Sequence, residues 1–161
     1  MRLLALARFH RIVPAIGIWG ASVLMAPAAA AQDLTLTISP STITFAAADP
    51  DTTPSIAAPA ITVRYRVRNN EDGSWRISLQ ASGDLTDGSA TIPITNVTWT
   101  ASPTPPFQAG TLSQTLAQTL ASGSGDVQAP RTGTTVFRLA NSWTYNVGNY
   151  STSVVFTLTA P

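Results

Sequence analysis

The stretch NVGNYSTSVVFTLTAP (146–161) sends its side chains alternately to two sides of an extended chain. Tyr150, Thr152, Val154, Phe156 and Leu158 fall on one side, and Ser151, Ser153, Val155, Thr157 and Thr159 on the other. A period of two with bulky apolar groups on one side is the pattern of a strand with one buried face. Such a strand requires neighbours to pair with and a facing layer to cover Val154, Phe156 and Leu158. The open question is whether it closes a self-contained sandwich or waits beside an empty position for a strand from another subunit.

Upstream, the same period recurs at short spacing. DLTLTIS alternates through Leu34, Leu36 and Ile38, breaks at Ser39 and Pro40, and resumes with Ile43 and Phe45, which reads as a kinked first strand. AAADPDTTPSIAAPA has three prolines and two aspartates and reads as an irregular connection. In ITVRYRVRNNEDGSWRISLQ the rows Ile61, Val63, Tyr65, Val67 and Trp75, Ile77, Leu79 flank turn chemistry at Asn69 to Gly73. That predicts a hairpin with Val67 opposite Trp75 and Tyr65 opposite Ile77. In ATIPITNVTWT, Ile92 and Ile94 share one parity and Val97 and Trp99 the other, so a bulge or bend is expected near Asn96. Leu112, Leu116 and Leu120 recur every fourth residue, which suits a helix, but their shared parity and the Thr and Gly around them favour a strand. TTVFRLANSW adds another. The expectation is an all-β, antiparallel immunoglobulin-like β-sandwich of about seven or eight strands, in one domain over 32–161.

The front of the chain reads differently. Arg2, Arg8 and Arg11, then IVPAIGIWGASVLM, then APAAAAQ have the layout of a signal peptide over 1–31, with cleavage expected after Ala31. Its apolar run is also long enough for an uncleaved anchor. Removing 31 of 161 residues leaves 130, enough for one modest core. Six arginines then face eight acids, so the mature net charge is about −2, unlike the basic excess of a nucleic-acid binder. No nucleic-acid partner is expected, and no membrane after the leader is cut.

The chain has no cysteine and no lysine, and its one histidine, His10, lies in the leader. A mature segment without Cys, His or Lys cannot build the usual zinc sites, a Ser-His-Asp triad, a Cys-His dyad or a Schiff base. No catalytic residue, metal ligand or cofactor is expected, and the strands must hold the fold without disulfides.

Two motifs carry resemblances. Asn146, Gly148, Tyr150 and Thr152 have the spacing of the immunoglobulin tyrosine corner, with Thr152 where a disulfide cysteine would stand. The tail from Tyr150 to Pro161, with Val154, Phe156 and Leu158, resembles the C-terminal signature of bacterial WxL surface domains. Trp75, Arg76, Ile77, Ser78 and Leu79 resemble that family's first W-x-L element; Ile77 stands in place of Leu, and Phe156 in place of the second Trp. The resemblance implies a secreted, non-catalytic surface protein that associates noncovalently with cell wall or envelope polysaccharide, and gives Trp75, Ile77, Tyr150, Phe156 and Leu158 a structural role.

Candidate binding residues fall into two groups. Trp75, Trp99, Trp143 and Tyr145 could present aromatic faces to sugar rings or could fill the core; the strand position of Trp75 favours the core, while Trp143 and Tyr145 sit in the loop-like ANSWTYNVGN. Arg64, Arg66 and Arg68 form a stripe opposite the apolar row, and the hairpin register would set Arg66 across from Arg76. The stripe is either a solvated face offset by Glu71, Asp72, Asp84 or Asp87, or a contact for an anionic polymer. Asp49, Asp51, Asp84 and Asp87 sit in turns, where aspartate commonly serves its own backbone. The functional expectation is an envelope or cell-surface module, secreted or periplasmic, that binds polysaccharide or another surface protein. The alternative is a fimbrial subunit assembled by strand donation, with DLTLTISPSTITF as donor and NVGNYSTSVVFTLTAP as the groove edge.

Overall fold

The computed structural model describes residues 2–7, 33–68 and 73–160. In chain order its strands are β1 (Arg2–Ala7), β2 (Asp33–Ser39), β3 (Thr42–Thr44), β4 (Ser55–Ala57), β5 (Ile61–Arg68) and β6 (Ser74–Ala81). They continue with β7 (Leu85–Asp87), β8 (Ala90–Ile92), β9 (Val97–Ser102), β10 (Gly110–Thr111), β11 (Gln118–Ser124), β12 (Val127–Ala140) and β13 (Ser151–Thr159). One sheet runs β11-β6-β13-β1-β3, with the small β7–β8 hairpin attached to β13; the other runs β10-β9-β12-β5-β2, with β4 on β12. Every pair is antiparallel except β1 with β13. The result is an antiparallel immunoglobulin-like β-sandwich, and its strands of six or more residues from Asp33 onward are the seven the alternation marks.

Alternation explains the layers. Ile61, Val63, Tyr65 and Val67 of β5 face Trp75, Ile77 and Leu79 of β6 and Val154, Phe156 and Leu158 of β13 in one buried cluster. Ring contacts bridge it: Tyr65 lies 4.9 Å from Trp75 and 6.0 Å, edge-on, from Phe107. The break at Pro40 moves the chain between layers, since β2 pairs with β5 in one sheet and β3 with β1 in the other. Near Asn96 a single 3-10 turn, Ile94–Asn96, shifts the parity, so that Ile92, Ile94, Val97 and Trp99 are all buried as the sequence requires.

The predicted hairpin is not formed. β5 pairs with β2 and β12, β6 pairs with β11 and β13, and the two lie in opposite sheets. Val67 sits opposite Leu34 and Val127, and Trp75 opposite Gly123. An alternating pattern states which side faces the interior, and two rows facing one core from opposite layers satisfy it as well as two rows side by side. Of the expected turn, Asn69 to Asp72 lie outside the described residues. Leu112 and Leu120 are buried, but Leu116 is exposed in a turn, and the strand there begins only at Gln118. Within the Pro-rich connection, Ser55–Ala57 does pair, with Arg138 to Ala140.

At the centre of the core the hydroxyl of Tyr65 has no protein hydrogen-bond partner. Burial raises its pKa above the ordinary value, and the charge of Arg131 opposes this more weakly. The unfolded chain therefore releases this proton first, from about pH 10. Stability from the difference is fully present below that pH and is lost as pH rises through the folded value. Tyr65→Phe removes an unsatisfied buried group, so it should raise stability by about 1 kcal/mol in urea titration at neutral pH. The same variant should flatten the alkaline loss above about pH 10. A destabilised variant would show that the hydroxyl is satisfied in solution.

Candidate functional site

The position beside β13 is the first unusual feature. On one side β13 pairs with β6, through Leu158↔Ile77 and Phe156↔Leu79. On the other its neighbour is β1, which runs parallel to it in the register Arg2↔Ser151 to Ala7↔Phe156. β1 also pairs with Thr42–Thr44 of β3, so it is wedged between β13 and β3. The strand that completes this sheet thus comes from within the predicted leader, whose other residues, Met1 and 8–31, lie outside the described ones. Asp33 begins β2 at once and is paired opposite Arg68.

The approach to β13 is pinned by side chains. The Tyr150 hydroxyl donates to the carbonyl of Asn146 at 3.1 Å, which is the predicted tyrosine corner. Asp87 accepts the Asn149 amide at 2.7 Å, and a Cβ on Gly148 would push against that carboxylate, so a larger residue there would displace the Asp87 side chain. Thr152 donates to the Gly83 carbonyl at 2.9 Å. The corner tyrosine leads into β13, which has β6 on one flank and β1 on the other.

The structural motif residues converge. Trp75, Ile77, Phe156 and Leu158 lie on the paired strands β6 and β13 and are buried, as is Tyr150 at the corner. The arginines do not converge. Arg64, Arg66 and Arg68 project from the outer face of one sheet, and Arg76 lies in β6 of the opposite sheet, so the expected Arg66–Arg76 juxtaposition does not exist. Arg66 pairs with Asp33 across β2 at 2.6 Å, and Arg68 donates to the Gln128 carbonyl at 3.3 Å. None of the acids expected to offset the stripe does so among the described residues. Asp84 accepts the Ile94 amide at 2.8 Å and Asp87 that of Asn149, while Glu71 and Asp72 lie outside the described residues.

Trp143 and Tyr145 do come together. They line a cleft of about 390 Å³ at one end of the sandwich, between the chain after β3 and the β12–β13 connection. Trp143 is 69% exposed, and its indole N–H donates to Asp51 at 3.0 Å. Tyr145 is half-buried, its hydroxyl bonded to the Asn96 side-chain amide. Asp51 was legible in the sequence only as a turn residue; its contact with Trp143 spans 92 positions, which no local pattern records. No protein-family model matches the chain, and no curated protein matches it.

Proposed function

We propose that this chain is a secreted, non-enzymatic envelope or cell-surface subunit that is completed by a strand from another polypeptide. The observation that carries this is the seat beside β13, filled by Arg2–Ala7. Cleavage after Ala31 takes β1 away with the leader and leaves Ser151–Phe156 and Thr42–Thr44 with unpaired backbone on facing edges. Unpaired backbone at the middle of a sheet is costly and is a template for strand addition. The mature chain has no free segment ahead of β2 with which to refill the seat, because only Gln32 precedes Asp33. The incoming segment is an extended stretch with alternating apolar residues, matched to the six paired positions of β13. The predicted donor segment is occupied in its own domain as β2 and β3, although β2 is an edge strand that pairs, among the described residues, with β5 alone.

The test uses the secreted, processed protein and a synthetic peptide of residues 1–11, MRLLALARFHR. The mature chain should form heat-labile, concentration-dependent multimers, or, if its donor is a different protein, remain monomeric and bind the peptide. In both cases excess peptide should yield a one-to-one complex that a scrambled peptide does not give. A monomer at every concentration that ignores the peptide would overturn the proposal.

A further inference from the structure

The cleft beside Trp143 is a second surface, at the end of the sandwich and apart from the edge of β13. Its geometry is that of a prepared platform. The Trp143 indole is tethered at its edge by Asp51, which restrains the ring while the side chain stays largely exposed. An exposed tryptophan held in one orientation loses little freedom on binding, and its flat apolar face suits the C–H face of a sugar ring. Polar groups converge on the same opening. Asn146 spends its backbone carbonyl on the tyrosine corner and Asn149 its backbone amide on Asp87, and neither side-chain amide has a protein hydrogen bond among the described residues. Each is a paired donor and acceptor at the lip of a cleft, which is what sugar hydroxyls require.

Charge narrows the ligand. Among the described residues no arginine lines the cleft, and the carboxylates of Asp51 and Asp87 hold residues of its wall. A uronate, sialate or phosphate polymer would find no cation there among the described residues. Arg64 and Arg68 project from the outer face of β5 and do not line the cleft. The volume lies at the low end of the range for ligand pockets, fitting a short stretch of saccharide.

We propose that this cleft binds a neutral pyranose saccharide, with the Trp143 ring as the stacking platform and the Asn146 and Asn149 amides as hydroxyl partners. The site does not rest on strand completion, and its test reads a different signal. In the processed chain, which lacks Trp19, the other two tryptophans, Trp75 and Trp99, are buried, so a change in tryptophan fluorescence on ligand addition reports Trp143. The probes are soluble oligomers of glucose, mannose and N-acetylglucosamine, with polygalacturonate as the anionic control, titrated into the secreted protein. At least one neutral oligomer should give saturable quenching with a dissociation constant tighter than about 1 mM. Trp143→Ala should abolish retention on the immobilised oligomer. Asn149→Ala, whose backbone bond to Asp87 is kept, should weaken binding at least several-fold, and Arg64→Ala should leave it unchanged. Far-ultraviolet circular dichroism establishes that each variant is folded. Absence of saturation with every neutral oligomer would overturn the assignment. So would undiminished retention of Trp143→Ala, or a preference for polygalacturonate that fades with salt.

Discussion

The chain that begins at Gln32 is expected to unfold at a markedly lower temperature than the same chain with residues 1–31 attached. β1 pairs along six positions of β13 and three of β3, and a backbone hydrogen bond contributes a net ~0.5–1.5 kcal/mol. Several such bonds lost together amount to roughly 3–6 kcal/mol, a large share of the ~5–15 kcal/mol that holds a domain of this kind. The midpoint should fall by roughly 10 °C or more for a domain of this size. Hydrogen exchange localises the effect. Amides of Ser151 to Phe156 that face the seat should exchange faster in the shorter chain, while those of β5 and β12, paired on both sides in the other sheet, should keep their protection. The 1–11 peptide should restore both the midpoint and the protection, in proportion to its concentration. Equal midpoints and equal protection in the two chains would mean that β3 moves across to pair with β13 and the sandwich closes by itself.

The two outcomes separate what local sequence can state from what it cannot. The alternation in 150–158 marks a buried face correctly, because burial is decided residue by residue by the chemistry of the side chain. The corner at Tyr150 is equally local: its hydroxyl reaches a carbonyl four residues back, so the motif carries its own geometry. Pairing is different. Val67 and Trp75 are joined by a short turn, yet they belong to opposite sheets, because the rows on β5 and β6 fit a shared interior in either arrangement. The pairing of β13 with β1 joins the two ends of the chain, and nothing within either segment points to the other.

The candidate sites divide along the same line. Asp84 and Asp87 were readable as turn residues serving backbone, and their carboxylates accept the Ile94 and Asn149 amides. Those amides are ten and 62 positions away, so the kind of role was legible and the partner was not. The arginine stripe was legible as one face of β5, but its counter-charge, Asp33, comes from the adjacent β2 and not from the turns. The cleft is assembled from the chain after β3 and the connection before β13, so Trp143 and Tyr145 could be named as aromatics outside a strand, and their setting required the fold.

The sharpest contrast lies between two tryptophans that composition cannot tell apart. Trp75 is 4% exposed, lies against Tyr65, and covers Gly123, where an added Cβ would sit 2.5 Å from its ring. Truncation to alanine leaves a large void between the sheets that neighbours on paired strands cannot collapse to fill, at a cost of about 3–5 kcal/mol. That approaches the whole stability of a marginal domain, so Trp75→Ala should be largely unfolded at room temperature or recovered in low yield. Trp75→Phe should recover much of the loss, since it keeps a ring between Tyr65 and Gly123 and removes an indole N–H that has no protein partner. Trp143→Ala removes exposed surface and one hydrogen bond to Asp51, and should shift the urea midpoint by no more than about 1 kcal/mol. Urea titration followed by circular dichroism reads all three without relying on the residue being replaced. A Trp75→Ala protein as stable as Trp143→Ala would mean that the two layers do not meet at Trp75, and the packing of β6 against β5 would have to be redrawn.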